Sequence, residues 1–291
     1  MNFYDALIGP FVEFDFMRRA LVGSLALSLG AGPVGVFLML RRMSLAGDAM
    51  AHAILPGAAI GFLVAGLSLP AMTIGGLAAG VAVALGAGLV ARVTSQKEDA
   101  SLAAFYLLSL ALGVTLVSLK GSNVDLLHVL FGSVLALEND ALVLLASVST
   151  VTLVTLALVY RPLVLECVDP AFLGSVSRSG GPAHLVFLGL VVLNLVAGFQ
   201  ALGTLLSVGV MMLPAAAAAF WSNRLGPMFA ISVAIGALAS VAGLLGSYHS
   251  GAPTGPAIIL AAGAIYLASI LFGATGGVAW RALPARRHRT A

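Results

Sequence analysis

The chain has 291 residues, 60% of them hydrophobic and only 9% charged, with a mean hydropathy of +1.10. A soluble domain carries about 25% charged residues and about 45–50% apolar ones, so a soluble enzyme, a disordered regulator and a nucleic-acid-binding protein are excluded. The net charge of +3 and the pI near 9.4 then describe a few basic residues at membrane edges, and the single cysteine, Cys167, excludes an internal disulfide.

Residues 1–19 mix aromatic side chains with Asp5, Glu13 and Asp15. They lack the basic start and cleavage site of a removed signal peptide and are expected to lie at the membrane interface. A spanning helix needs roughly 20 apolar residues. Such stretches lie near 20–40, 49–67, 70–91, 101–119, 141–160, 184–202, 203–221, 227–247 and 255–273. The expected fold is all-α: a polytopic transmembrane helical bundle of eight to nine spans, forming one integral domain over 1–291. The short gaps at 67–70 and 202–203 leave the count open by one.

Lysine and arginine set the orientation. With the N-terminus outside, Arg41, Arg42, Arg92, Lys97, Arg161, Arg178, Arg224, Arg281, Arg286, Arg287 and Arg289 fall inside, 11 of the 14 basic residues, against Arg18, Arg19 and Lys120 outside. The stretch 162–182 is the longest hydrophilic interruption and falls on the cytoplasmic side, as does the basic tail 280–291. A second irregular stretch, 120–140, holds His128 and is expected at or near the outer surface. Gly57-x-x-x-Gly61 and Gly76-x-x-x-Gly80 read as faces for close helix packing.

An ionisable side chain in hydrocarbon is costly and calls for a reason. The stretch 41–57 supplies the main case, because in a helix Asp48 and His52 stand one turn apart on one face. A carboxylate and an imidazole suit a borderline divalent cation, and the alanines and glycine around them leave room beside the pair. Spacing alone leaves open that the two only hydrogen-bond each other or cap the helix. His128, three residues after Asp125, and His249, in an outside turn, are weaker candidate metal ligands. His184, at the start of a span, and His288, in the tail, support no site. The sequence has no Gly-x-x-x-x-Gly-Lys-Ser/Thr phosphate loop, no His-Glu-x-x-His and no Gly-x-Ser-x-Gly. Any ATP-driven transport therefore needs a separate ATPase, and the chain is not read as an enzyme.

The stretch 44–57 resembles the most characteristic signature of the membrane permease subunits of ABC importers for zinc, manganese or iron. The stretches 125–132, 199–206 and 213–216 agree with that family in order, as does the turn at 251–256. The resemblance implies a homodimeric permease in a bacterial inner membrane. It also implies one ATPase subunit per permease and an extracytoplasmic metal-binding protein. Asp48 and His52 would lie on the translocation path, with the metal as transported substrate and no permanently bound cofactor. The family's cytoplasmic coupling helix follows a pattern close to Asp-Pro-Glu-x-Ala-x-x-x-Gly. Asp169 and Pro170 match it, whereas Ala171, Leu173 and Ser177 depart from it; Phe172 and Leu173 are the expected apolar anchors for the ATPase. Zinc is the favoured cargo because no further hard oxygen ligand is visible near the pair, with manganese or iron as alternatives. An ion-coupled secondary metal carrier is a rival, but it would hold more buried acids and a repeated hydropathy unit. A membrane enzyme using Asp48 and His52 for acid–base chemistry is another, without an accompanying nucleophile.

Overall fold

A computed structural model of the chain describes residues 7–43, 45–66, 68–119, 134–169, 172, 173, 175, 177 and 180–279. Its helices are α1 (Gly9–Glu13), α2 (Asp15–Leu40), α3 (Ala46–Ala53), α4 (Leu55–Ala65), α5 (Leu69–Val93), α6 (Glu98–Leu119), α7 (Asn139–Val168), α8 (Gly180–Leu202), α9 (Thr204–Ala218), α10 (Leu225–Ser250) and α11 (Thr254–Phe272). Among the described residues there is no strand, as a bilayer demands of a chain that must satisfy its own backbone groups.

Among the described residues eight helical stretches are long and apolar enough to span, with α3 and α4 together forming one broken crossing over Ala46–Ala65. The ninth expected stretch, 203–221, is a 15-residue helix, α9. At 1.5 Å per residue it is about 22 Å long, short of the roughly 30 Å hydrocarbon core. The cause lies at Gly203, whose φ of 94° reverses the chain between α8 and α9. Gly198 packs against Leu27, twelve residues into α2. The reversal five residues later therefore sits about 10 Å short of the Asp15 end of α2.

Pairwise contacts give the helix directions. Phe37 meets Tyr160 and Phe187, Gly30 meets Ser149 and Asn194, and Ser28 meets Gly236. Hence α7 runs parallel to α2, while α8 and α10 run back. The central helices are α2 and α8, whereas α6 and α11 present most of their apolar surface outward. Gly57 and Gly61 bear out the packing expectation: a Cβ on either would fall 1.9 Å or 2.4 Å from a backbone oxygen of α5. Arg41, Arg42, Lys97, Arg161 and Arg224 gather at one end of the bundle, the Arg41 end. Arg18 and Arg19 lie at the other, the Phe14 end, where Phe14 packs against Tyr248.

Three expected boundaries shift. Asp15 already opens α2, so the expected interfacial segment 1–19 contributes only α1 ahead of the first crossing; residues 1–6 lie outside the described residues. The expected coupling segment 162–182 narrows to 169–179, because α7 continues through Pro162 to Val168 and α8 opens at Gly180. Residues 120–133, with His128, and the tail 280–291 lie outside the described residues.

Candidate functional site

The link from α2 to α3 creates the site. At the end of α2, the N–H of Met43 bonds Leu38 O and the N–H of Arg42 bonds Met39 O, both at 3.0 Å. This is a Schellman ending, and Arg42 occupies its left-handed position with φ 59°, where glycine is the usual residue. The turn launches α3, whose first turn carries Asp48 and whose last turn carries His52. The helix breaks at Ile54 because Pro56, in the first turn of α4, has no N–H to continue the ladder. Ser109 of α6 braces the break by donating to Ala53 O at 2.9 Å.

Asp48 Oδ1 and His52 Nε2 stand 3.8 Å apart, too far for a hydrogen bond and near enough to share an ion. Asp48 is 66% exposed and His52 35%. His52 Nδ1 is buried with no partner among the described residues, and the Tyr106 ring lies 6.3 Å from the imidazole. The pair therefore keeps unspent ligating capacity.

Two cavities meet at Asp48. The larger, about 310 Å³, is bounded by Asp48, Ala51 and His52, by Thr204, Leu205, Val208 and Gly209 of α9, and by Ile259 of α11. The smaller, about 160 Å³, lies between α3 and α6, with Asp48, Ala49, Asp99, Leu102, Ala103 and Tyr106 on its walls. Gly47 faces Met212. Thr204, eight residues earlier on the antiparallel run, lies about 12 Å nearer the Phe14 end. Asp99 precedes Tyr106 by seven residues and lies about 10 Å nearer the Arg41 end. Asp48 thus stands between a space reaching toward one membrane face and a space reaching toward the other. No three His, Cys, Asp or Glu side chains converge among the described residues, so Asp48 and His52 give half a four-coordinate shell.

The other expected residues fall elsewhere. His249 ends α10 at the Phe14 end, exposed beside Tyr248, far from the pair. Asp169 follows α7, and its Oδ1 accepts the Phe172 N–H at 2.9 Å; Pro170 lies outside the described residues. The two expected anchors divide: Phe172 is 53% exposed, while Leu173 is buried against Gly180 of the same chain and is not presented to a partner.

Sequence reasoning missed Asp99, Tyr106 and Thr204 on the cavity walls. Only Thr204 had a signal, through the stretch 199–206. It also set His184 aside. His184 joins Arg41 and Glu166 at the Arg41 end, where Arg41 Nη2 donates to Glu166 Oε2 at 2.8 Å and Arg41 Nη1 meets His184 Nδ1. Glu166 Oε1 lies 3.7 Å from His184 Nδ1, and the guanidinium stacks 4.7 Å from the Phe187 ring. The 125 residues between Arg41 and Glu166 hide this pairing from any local pattern.

The profile of the ABC 3 transport family matches residues 13–273. The manganese import system permease protein ScaB of Streptococcus parasanguinis is 34% identical over 257 residues, covering 88% of this chain and 90% of its own. A Haemophilus influenzae protein named "Probable iron transport system membrane protein" is 29% identical over 92% of this chain and 97% of its own. The solved structure of PsaBC from Streptococcus pneumoniae in complex with Fab superposes with a TM-score of 0.81 at 30% identity, covering 92% of this chain and 96% of that one.

Proposed function

The chain belongs to the ABC 3 transport family, and from that membership we propose that it is the membrane permease of an ATP-driven importer whose cargo is manganese. The carrying observation is the Asp48–His52 pair, held 3.8 Å apart on the wall between two cavities with no Lys or Arg salt-bridged to it among the described residues. An unpaired carboxylate facing a cavity within a membrane protein is costly, and a transported divalent ion offsets that cost while it is bound.

Manganese replaces the zinc expectation. The Asp99 carboxylate and the Thr204 hydroxyl stand on cavity walls that Asp48 shares, but among the described residues no third His, Cys, Asp or Glu converges on the pair, so its own donors do not choose between the ions. The relatives named for manganese and iron import support the change.

In this reading two copies of the chain contribute Asp48 and His52 to one four-ligand site. An extracytoplasmic metal-binding protein delivers the ion at the Phe14 end. A separate ATPase binds at the Arg41 end, which the basic excess assigns to the cytoplasm. The ion passes the apolar wall of Leu205 and Val208, is held at Asp48 and His52, and leaves past Asp99. The permease itself carries out no bond chemistry. Its task is to bind weakly enough to release, which an incomplete and exposed pair suits better than a closed structural shell.

The test is uptake by the chain reconstituted with its ATPase and binding protein in proteoliposomes, with manganese, zinc and ferrous iron each offered alone. Manganese is expected to accumulate with ATP and to stimulate hydrolysis most. Uptake driven by zinc with no response to manganese overturns the cargo; no ATP-dependent uptake of any of the three overturns the function.

A further inference from the structure

We infer that Ile259 of α11, seated on Gly209 of α9, sets the clearance through which an ion still carrying its water reaches Asp48 and His52; this rests on the importer reading above. The larger cavity is a groove. Its floor is α9, which packs against both α3 and α11, with the metal pair on one bank and Ile259 on the other. Apart from Asp48, His52 and Thr204, its walls are hydrocarbon or glycine. Such walls offer nothing to replace the water around a divalent ion, and taking a charge out of water without a replacement is prohibitive. An ion in octahedral water occupies roughly 200 Å³, at about 30 Å³ per molecule. The larger cavity, about 310 Å³, admits it whole, and the smaller one, about 160 Å³, does not. Water is therefore shed at the pair, where ligands take its place, and the groove in front of the pair must stay wide.

Gly209 holds the groove open. It lies inside α9 and its φ is not positive, so the backbone does not call for glycine there and alanine would favour the helix. Its neighbour across the groove supplies the reason. A Cβ on Gly209 would fall 2.0 Å from Ile259 Cδ1 and 3.1 Å from Ile259 Cγ1, so the tip of Ile259 occupies the place where a side chain would stand.

A comparison separates this contact from ordinary helix packing. A Cβ on Gly243 of α10 would fall 2.3 Å from Ile258 Cα, so that glycine sets how closely two backbones approach. Gly209 meets only the end of a side chain. The Gly243 contact also anchors α11 to α10 one residue away from Ile259, which keeps α11 from backing off α9. A methyl group at 209 therefore turns the Ile259 arm off the floor, and the open space beside it is the groove. Rotating one terminal carbon costs the fold little. It obstructs the ion.

The experiment has two arms. The first measures manganese uptake by the permease reconstituted with its ATPase and binding protein in proteoliposomes. Gly209→Ala is expected to lower initial uptake at least about fivefold without lowering the unfolding midpoint. Ile259→Val removes Cδ1, so Gly209→Ala combined with Ile259→Val should return to within about twofold of the parent. Ile259→Phe adds bulk while leaving Gly209 in place and should obstruct uptake as Gly209→Ala does. The second arm reads clearance with no ion present. Gly47 faces Met212 on the antiparallel α9, so Ala51 lies level with Val208, on the bank facing Ile259. Ala51→Cys is labelled in the permease–ATPase complex with methyl and with trimethylammonium-ethyl methanethiosulfonate, the unsubstituted chain serving as the blank for Cys167. Adding Gly209→Ala should slow the bulky reagent at least about fivefold and the small one less than about twofold, and Ile259→Val should restore the rate. Uptake by Gly209→Ala within about twofold of the parent overturns the inference, as does bulky labelling that Gly209→Ala leaves unchanged or a combined variant that stays blocked. So does a midpoint that falls in Gly209→Ala and recovers together with uptake in the combined variant, which marks the contact as packing alone. The expected labelling pattern in a protein with no ATP-dependent uptake of manganese, zinc or iron overturns the importer reading instead and leaves the clearance assignment standing.

Discussion

Two carboxylate–imidazole pairs stand in this chain at almost the same separation, 3.8 Å for Asp48 and His52 and 3.7 Å for Glu166 and His184. Their surroundings differ. Arg41 sits against both members of the second pair, the phenyl ring of Phe187 covers the guanidinium, and all three polar side chains are mostly buried. Among the described residues the first pair has no Lys or Arg in a salt bridge with it, lies on two cavities and leaves one ring nitrogen unpartnered. Residue type is therefore not what distinguishes an ion-binding pair from a structural one. In the importer reading the distinction is whether the protein supplies the positive charge itself: a guanidinium fills the second pair, and the first is left for a transported ion.

That contrast can be broken most directly at the first pair. Asp48→Asn keeps the shape and removes the charge, and His52→Ala removes the imidazole of the proposed site; each should lower metal uptake about 100-fold or more. Because Asp48 is exposed and the two make no hydrogen bond, Asp48→Asn should move the thermal stability of the purified protein little, within about 0.5 kcal/mol. Uptake near the unsubstituted rate at matched membrane abundance would return Asp48 and His52 to a structural role. The second pair should show the opposite pattern. Glu166→Ala strands a buried guanidinium and should cost about 3–5 kcal/mol of stability, read as the unfolding midpoint in detergent. A change under about 1 kcal/mol would show that water reaches Arg41 and that the pairs are not opposites.

The 169–179 segment offers a second contrast. Phe172→Ala should weaken ATPase association by about 2 kcal/mol, measured by co-purification or binding titration, without altering stability. Leu173→Ala should instead lower stability by about 2–3 kcal/mol and act on the ATPase only through that loss. Equal effects of the two on association would mean that Leu173 leaves its pocket when the ATPase binds. The smallest effect belongs to the turn between the two pairs. Arg42→Gly should stabilise the protein by about 0.5–1 kcal/mol in thermal unfolding, because glycine occupies the left-handed position without strain. A loss of that size would assign the Arg42 side chain a contact worth more than its backbone strain.

Much of this molecule was legible along the chain. Hydropathy located all eight full crossings to within several residues, because a lipid-facing helix must be apolar over its whole length. The proximity of Asp48 and His52 was legible for a related reason: they are one turn apart, so local geometry alone aligns them. The short α9 was not legible. Its composition is that of a spanning helix, and only the packing of Gly198 on Leu27 places its start inside the bundle. The burial of Leu173 was not legible for the same reason, since an apolar side chain in a polar segment reads as exposed until Gly180 is seen beside it.

The sequence by itself determined that the chain crosses a membrane many times, that its basic residues favour one end, and that an acid and a histidine share a helical face. These properties depend on composition or on neighbours within one turn, so no long-range contact is needed to read them. Tertiary structure alone decided that Asp48 lies between two cavities, that Asp99 and Thr204 bring oxygen to their walls, and that Arg41 is held by Glu166 and His184. Each of those contacts joins helices distant in the chain. Nothing local encodes which helices meet, because in lipid the choice rests on close packing and on the pairing of buried polar groups, both of which exist only once the bundle has assembled.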